Sequence, residues 1–329
     1  MNALIQRFTG AAESGESLPL QALAILKQVA LPVLGIAAFL LLWGLLAKQV
    51  DTSLGSFPGP ASVAEQVKNL YQEHVAERAK ADAFYERQEK RNADRVAKDP
   101  NYVPKVRAYT GKETFLDQIG TSLVTVMSGF LLAASFAIPL GIAVGLSKPL
   151  NEAINPIIQI FKPVSPLAWL PLVTMVVSAL YVSDDPFFAK SFVNSVITVM
   201  LCCIWPMVIN TSIGVSSVNS DWVNVGKVLR LSPLKNIQKI VLPASIPAIF
   251  TGMRMSLGIA WMVLIAAEML AQNPGLGKFI WDEFQNGSSS SLSRIMTAVL
   301  VIGVIGFLLD RGMLMIQRWV SWDKSQAAR

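Results

Sequence analysis

The length and spacing of its apolar runs constrain this chain more than any other feature. Six stretches nearly free of charge are present: roughly Val29–Ala47, Phe115–Leu146, Ile157–Val182, Ser191–Val215, Ala248–Ala271 and Ile295–Ile316. Each is close to the ~20 residues that a helix needs to cross a bilayer. In lipid every backbone N–H and C=O must be bonded within the protein, so such runs become helices. Charged residues are 15% of the chain, against about a quarter in soluble domains, and they cluster between the runs. The sequence therefore predicts an all-α integral membrane protein with six transmembrane helices. A formal charge of +6 is modest. It suits an anionic bilayer surface rather than nucleic acid.

Lysine and arginine in the short loops set the orientation. Ser216–Pro243 holds Lys227, Arg230, Lys235 and Lys239 against one acid, Asp221. The tail adds Arg311, Arg318, Lys324 and Arg329, whereas Ser183–Lys190 and Gln272–Asn286 each carry two acids and one lysine. Both termini and the 216–243 loop are expected in the cytoplasm. The expected organisation is a cytoplasmic segment 1–28, a first transmembrane helix 29–47, an extracytoplasmic helical insertion 48–114, a core 115–316 with helices two to six, and a cytoplasmic tail 317–329. Residues 1–28 are polar and mixed in charge, without the apolar core of a cleavable signal. Leu20–Lys27 reads as a short interfacial helix. After the turn Phe57-Pro-Gly-Pro60, apolar Val63, Val67, Leu70, Tyr71 and Val75 recur at helical spacing, and Glu73–Lys98 is densely charged with i,i+4 pairs such as Glu86 and Lys90. A solvated helix or helical hairpin is expected there.

Polar residues inside the spans are the candidates for a translocation pathway or gate. In span two Gln118, Ser122, Thr125 and Gly129 form one stripe, and Gly141 and Gly145 have the spacing that lets helices approach closely. A loop around Lys148–Asn155 should lead to span three, where Phe161-Lys-Pro-Val-Ser-Pro-Leu-Ala-Trp-Leu-Pro171 concentrates three prolines, with Lys162, Ser165 and Trp169 among them. Prolines at membrane depth free carbonyls that need partners or a wet cavity; the alternative is an interfacial helix turning a corner. In span five Ser256, Ala260 and Leu264 lead at i+4 steps to Glu268, which either bonds a neighbouring span or touches cargo. Arg254 and Lys162 are snorkelling cations or anion attractors. Asn194 and Asn210 are interhelical glue or pathway groups. The adjacent Cys202 and Cys203 read as small buried hydrophobes.

The segment Trp222–Pro247 is amphipathic. Ser220 can cap a helix with Trp222, Val225 and Leu229 on one face, ending at Leu231. Ser232 caps a second with Pro233 in its first turn, where Leu234, Ile237 and Val241 oppose Lys235 and Lys239; Pro243 should stop it and Pro247 open span five. An apolar underside with a basic rim fits either a docking socket or the membrane surface.

An enzyme is disfavoured: His74, the single histidine, lies in the polar insertion, and no HExxH or Gly-rich phosphate loop is present. Six spans without evident inverted repeats also disfavour a self-sufficient channel or secondary transporter.

The loop ends in Ile240-Val-Leu-Pro243, which resembles the signature of the permease subunits of type I ATP-binding-cassette (ABC) importers. Asn224-Val-Gly226 stands where that family has Glu-Ala-Ala, and Arg230 occupies its glycine position. Val228-Leu-Arg-Leu231, Ser165-Pro-Leu-Ala-Trp-Leu-Pro171, Phe250-Thr-Gly-Met-Arg254, Ala266-Ala-Glu-Met269 and Gly275-Leu-Gly-Lys-Phe-Ile-Trp-Asp282 are similar to the nitrate/bicarbonate branch, and less closely to sulfonate and taurine permeases. The resemblance covers about Phe57–Leu70 and Phe115–Trp322; the charged block Gln72–Lys112 looks like an insertion. It implies a multi-pass subunit of the bacterial inner membrane, without catalysis or bound cofactor of its own. It further implies a homodimer with a second permease copy, two cytoplasmic ATPases that hold ATP and Mg, and an extracytoplasmic binding protein. The cargo would be a small inorganic anion: nitrate first, then nitrite, cyanate or bicarbonate, with alkanesulfonate or taurine as the alternative. The coupling element to the ATPase would be Asn224, Gly226 and the corner Leu229, Arg230, Leu231, Ser232 and Pro233.

Overall fold

A computed structural model describes residues 18–52, 55–99, 101–182, 187–288 and 290–321. The loop Ser183–Pro186, most of the segment 1–28, and the tail from Trp322 lie outside the described residues. The chain divides into two units, Met1–Glu65 and Gln66–Arg329. The first contains α1 (Leu18–Ala47) and a two-residue antiparallel ladder, β1 (Asp51–Thr52) with β2 (Gly55–Ser56). Helix α1 is one continuous element, so Leu20–Lys27 is no separate interfacial helix. The Trp43 indole N–H donates to Pro58 O at 3.1 Å, closing the Pro-Gly-Pro turn on the end of α1.

Helix α2 (Pro60–Lys98) is followed by an extended return. Pro60–Lys98 is the expected solvated helix, mostly exposed along its length; the hairpin alternative fails, because the return that runs back along it is extended rather than helical. Gln88 pairs with both backbone groups of Arg107 (2.8 and 3.2 Å), as a neighbouring strand would, and Asn92 donates to Lys105 O. Phe84 and Tyr109 pack at 5.5 Å. These bonds satisfy the extended backbone without a second helix.

The membrane core comprises α3 (Phe115–Leu146), α4 (Lys148–Phe161), α5 (Pro166–Leu180), α6 (Lys190–Ser216), α7 (Ser220–Val228), α8 (Pro233–Asn236), α9 (Leu242–Ala271), α10 (Leu276–Asn286) and α11 (Ser291–Val320). Five described helices are long and apolar enough to cross a membrane, and the count is six if the bent pair, α4 with α5, is one span rather than a re-entrant loop. Thr114 and Asp117 form a reciprocal capping box at the start of α3. Helix α6 lies between α3 and α9, and small residues bring the three close. A Cβ on Gly141 would lie 2.6 Å from Thr211 Cβ, one on Gly145 2.7 Å from Ser212 O, and one on Gly252 2.7 Å from Asn210 Cβ. The glycine pair in span two therefore packs on α6. Phe130, Met207, Leu264 and Leu276 fill the buried centre.

Span three differs from expectation. Lys148–Asn155 is helical, and the chain bends by 99° between α4 and α5. The residue before a proline avoids the helical region; Ser165, before Pro166, is extended (φ −64°, ψ 142°), and its hydroxyl caps α5 by accepting from Leu167 N–H. Pro243 also fails to stop its helix. From Pro233 to Ala271 the chain stays helical through a π turn, Ile237–Val241, in which Leu242 N–H donates to Ile237 O. A proline lacks the N–H and its ring strikes the carbonyl four residues back. The wider π turn relieves that clash. Pro247 likewise lies inside α9 rather than at its start.

Candidate functional site: the two ends of α9

Upstream of α9, the loop after α6 leads through α7, α8 and the π turn into the helix. Asn219, not Ser220, caps α7, its Oδ1 accepting from Asp221 N–H at 2.9 Å. Helix α7 stops at Val228, three residues before the expected Leu231. The stop is a two-bond corner: Arg230 N–H donates to Lys227 O and Leu231 N–H to Gly226 O, each 3.0 Å. Between them Arg230 adopts φ +50°. This is a Schellman closure, whose left-handed position is normally glycine. The geometry thus explains why the motif carries glycine there, and Arg230 is one of two non-glycine residues with positive φ among the described residues. Ser232 then turns extended ahead of Pro233, as expected, but makes no side-chain cap bond.

Gly226 is buried, and a side chain there would run into Asn236, so it lets α7 pack against the second limb. Of the expected apolar face, Trp222, Val225, Leu229 and Leu234 are more than half exposed, as is Val228, whereas Val241 is buried and Ile237 partly so. Asn224, Lys227, Arg230, Lys235 and Lys239 are exposed beside them. Among the described residues the Arg230 guanidinium has no hydrogen bond or ion pair.

The other end of α9 is closed. Glu268 is 1% exposed. Its carboxylate accepts from Ser122 Oγ on α3 (2.8 and 2.9 Å) and from Gly277 N–H in the first turn of α10 (2.9 Å). Ser122 Oγ accepts in turn from Leu276 N–H at 2.9 Å. One carboxylate and one hydroxyl therefore occupy the N-terminus of α10, where a negative group is favoured. Gly275 has φ +144°, and side chains on Gly275 or Gly277 would overlap Glu268 or the α9 backbone. Asn273 secures the same junction to α6, donating to Ser195 Oγ (2.7 Å) and Ser191 O (3.2 Å).

The other candidates do not converge on one lining. Arg254 forms a two-point ion pair with Asp310 of α11, both bonds 3.0 Å. Sequence reasoning missed Asp310, although an acid inside an apolar run needs a partner. Thr125 bonds Thr121 O within α3. Ser256 and Asn194 are buried, each with an oxygen lacking a partner. Lys162 and Ser165 are exposed at the α4–α5 bend, where Phe161 stacks between Trp169 (5.8 Å) and Trp205 (6.1 Å). Asn210 bonds Pro206 O. Cys202 and Cys203 are unpaired.

At the N-terminal ends of α3 and α11, a cavity of about 600 Å³ is lined by residues that include Glu73, Glu77, Lys112, Gln118, Glu283 and Arg294. Arg294 bridges Glu283 (2.6 Å) and Glu73 (2.6 Å), tying α2 to α11. The hydrogen bond from Arg294 holds the Glu73 carboxyl below the usual range. His74 bonds Thr114 Oγ1 at 2.7 Å.

A bundle of long apolar helices, one broken span and an exposed corner between two spans define a multi-pass membrane permease. Residues 137–322 match the family model described as binding-protein-dependent transport system inner membrane component. The chain belongs to that family, the permease subunits of ABC importers, and is an integral protein of the inner membrane. It is 33% identical, over 90% of both chains, to the bicarbonate transport system permease protein CmpB of Synechococcus elongatus. It is 37% identical to the nitrate import permease protein NrtB of the same species, over 62% of this chain and 69% of that one. Its fold is similar to a chain of the MetNI methionine ABC transporter in an inward-facing conformation (TM-score 0.54, 12% identity), covering 63% of this chain and 96% of that one.

Proposed function

We propose that this chain forms the membrane pathway of an ATP-driven importer for a small inorganic anion and couples that pathway to cytoplasmic ATPase subunits through the 222–243 corner. The observation that carries the coupling half is the open apolar face of Trp222, Val225, Val228, Leu229 and Leu234, built on a fixed corner between two spans. Five exposed apolar side chains on a rigid, basic-rimmed element form a surface that needs a partner. In this reading the corner and both termini are cytoplasmic, two copies enclose the pathway, and ATP and Mg are held by the ATPases. The chain itself carries out no chemistry. The outward segment Gln72–Lys112 and the cavity beside it meet the binding protein.

Nitrate or bicarbonate as cargo is supported by the likeness to CmpB and NrtB, and nitrite and cyanate share their size and charge. Glu268, bonded to Ser122 and Gly277, then holds α9, α3 and α10 together rather than meeting an anion that it would repel. The test is reconstitution of the full importer in proteoliposomes with its binding protein. Leu229→Asp should abolish ATP-driven uptake of nitrate or bicarbonate while the permease remains inserted and folded. Uptake that continues without ATP, or at the wild-type rate in the variant, would overturn the coupling assignment.

A further inference from the structure

Arg230 stands in a conformation that costs an L-residue free energy and that glycine adopts freely. A strained residue persists where its side chain does something the unstrained alternative cannot. Here the guanidinium is exposed and unpartnered among the described residues, and the rim around it carries Lys227, Lys235 and Lys239 against Asp221 alone. Left-handed backbone at the corner, fixed by the bonds to Lys227 O and Gly226 O, gives the side chain a defined origin beside Leu229 and Leu234.

We infer that Arg230 is the specificity anchor of this corner, pairing through both arms of its guanidinium with a carboxylate in the docking groove of its own ATPase subunit. The inference rests on the coupling reading above and adds the chemistry of the partner. A planar guanidinium matches a carboxylate at two points, and that match depends on direction. An anionic lipid surface, the other negative partner within reach of a membrane loop, is a diffuse layer of charge. It would be served equally by three flexible lysines and gains nothing from a strained corner.

The test uses the full-length permease in nanodiscs and the purified ATPase subunit of the same importer, with binding followed as a function of salt. Arg230→Gly removes charge and strain together, so the permease alone should melt higher while its Kd for the ATPase rises about tenfold or more. The salt dependence of binding should fall with it. Arg230→Lys keeps the charge without the fork and should bind between the two. Unchanged affinity and salt dependence in Arg230→Gly would overturn the inference, as would an effect seen only in nanodiscs with anionic lipid. Leu229→Asp separates the two levels. If it weakens binding while Arg230→Gly does not, docking stands and the anchor falls. If neither weakens binding, the corner is not the docking site and both fall.

Discussion

The two ends of the helical run Pro233–Ala271 are built in opposite ways. At Glu268 every oxygen of the carboxyl group has a donor, glycines make room for the contact, and the group is sealed from solvent. At Arg230 the backbone is left-handed, the charge has no partner among the described residues and the apolar neighbours are open. A satisfied, buried junction holds one arrangement. An open, strained corner has interactions still to make. The first kind of end anchors a bundle; the second leaves apolar and basic groups open to its surroundings.

The contrast can be broken most severely at the closed end. Glu268→Ala leaves Gly277 N–H and Ser122 Oγ without their acceptor inside the protein, each costing about 1–3 kcal/mol. A stability loss of ~3 kcal/mol is expected, read as a lower midpoint of thermal unfolding in detergent. Gly277→Val should be at least as damaging, because its side chain enters the α9 backbone. A variant at Glu268 that unfolds like wild type would show that the junction does not depend on the carboxylate.

Midway along, the Arg254–Asp310 pair is intermediate in exposure (side chains 30% and 42%) and should be intermediate in effect. A double-mutant cycle with alanine should give a coupling of about 1 kcal/mol. A value near zero would reduce the pair to interfacial snorkelling.

The smallest effect is expected at Glu73, half exposed where α2 meets Arg294. Its carboxyl is held below the usual range by the hydrogen bond from Arg294. The contribution is therefore full above the free glutamate value of ~4.3 and is lost as pH falls through the lower folded value. Protease sensitivity of α2 should rise on acidification below that window, and Glu73→Gln should flatten the rise. An unchanged acid profile in that variant would remove Glu73 from the account.

Much of the bundle was legible because lipid leaves a chain few choices. Phe115–Leu146 was read to the residue, and Ser191–Val215 lies within α6. The 216–243 loop was legible in composition but not in shape. Pro243 and Pro247 signal breaks locally, yet a π turn carries the helix past them. The α7 cap shifts by one residue because Asn219, extended, presents its oxygen to Asp221. A helical hairpin was the alternative for the charged insertion, and nothing local marks Val103–Tyr109 as an extended strap; the Gln88 amide that binds Arg107 does.

The sequence by itself determined the membrane class, the five long apolar helices and the place of the corner between two of them, because apolar length acts locally. Only the tertiary structure decided which polar groups meet. Ser122 finds Glu268 across 146 residues and Asp310 finds Arg254 across 56, and no local periodicity encodes such pairs. The strain at Arg230 was equally hidden. A letter in place of glycine marks a departure, but only the backbone shows that the departure has a cost.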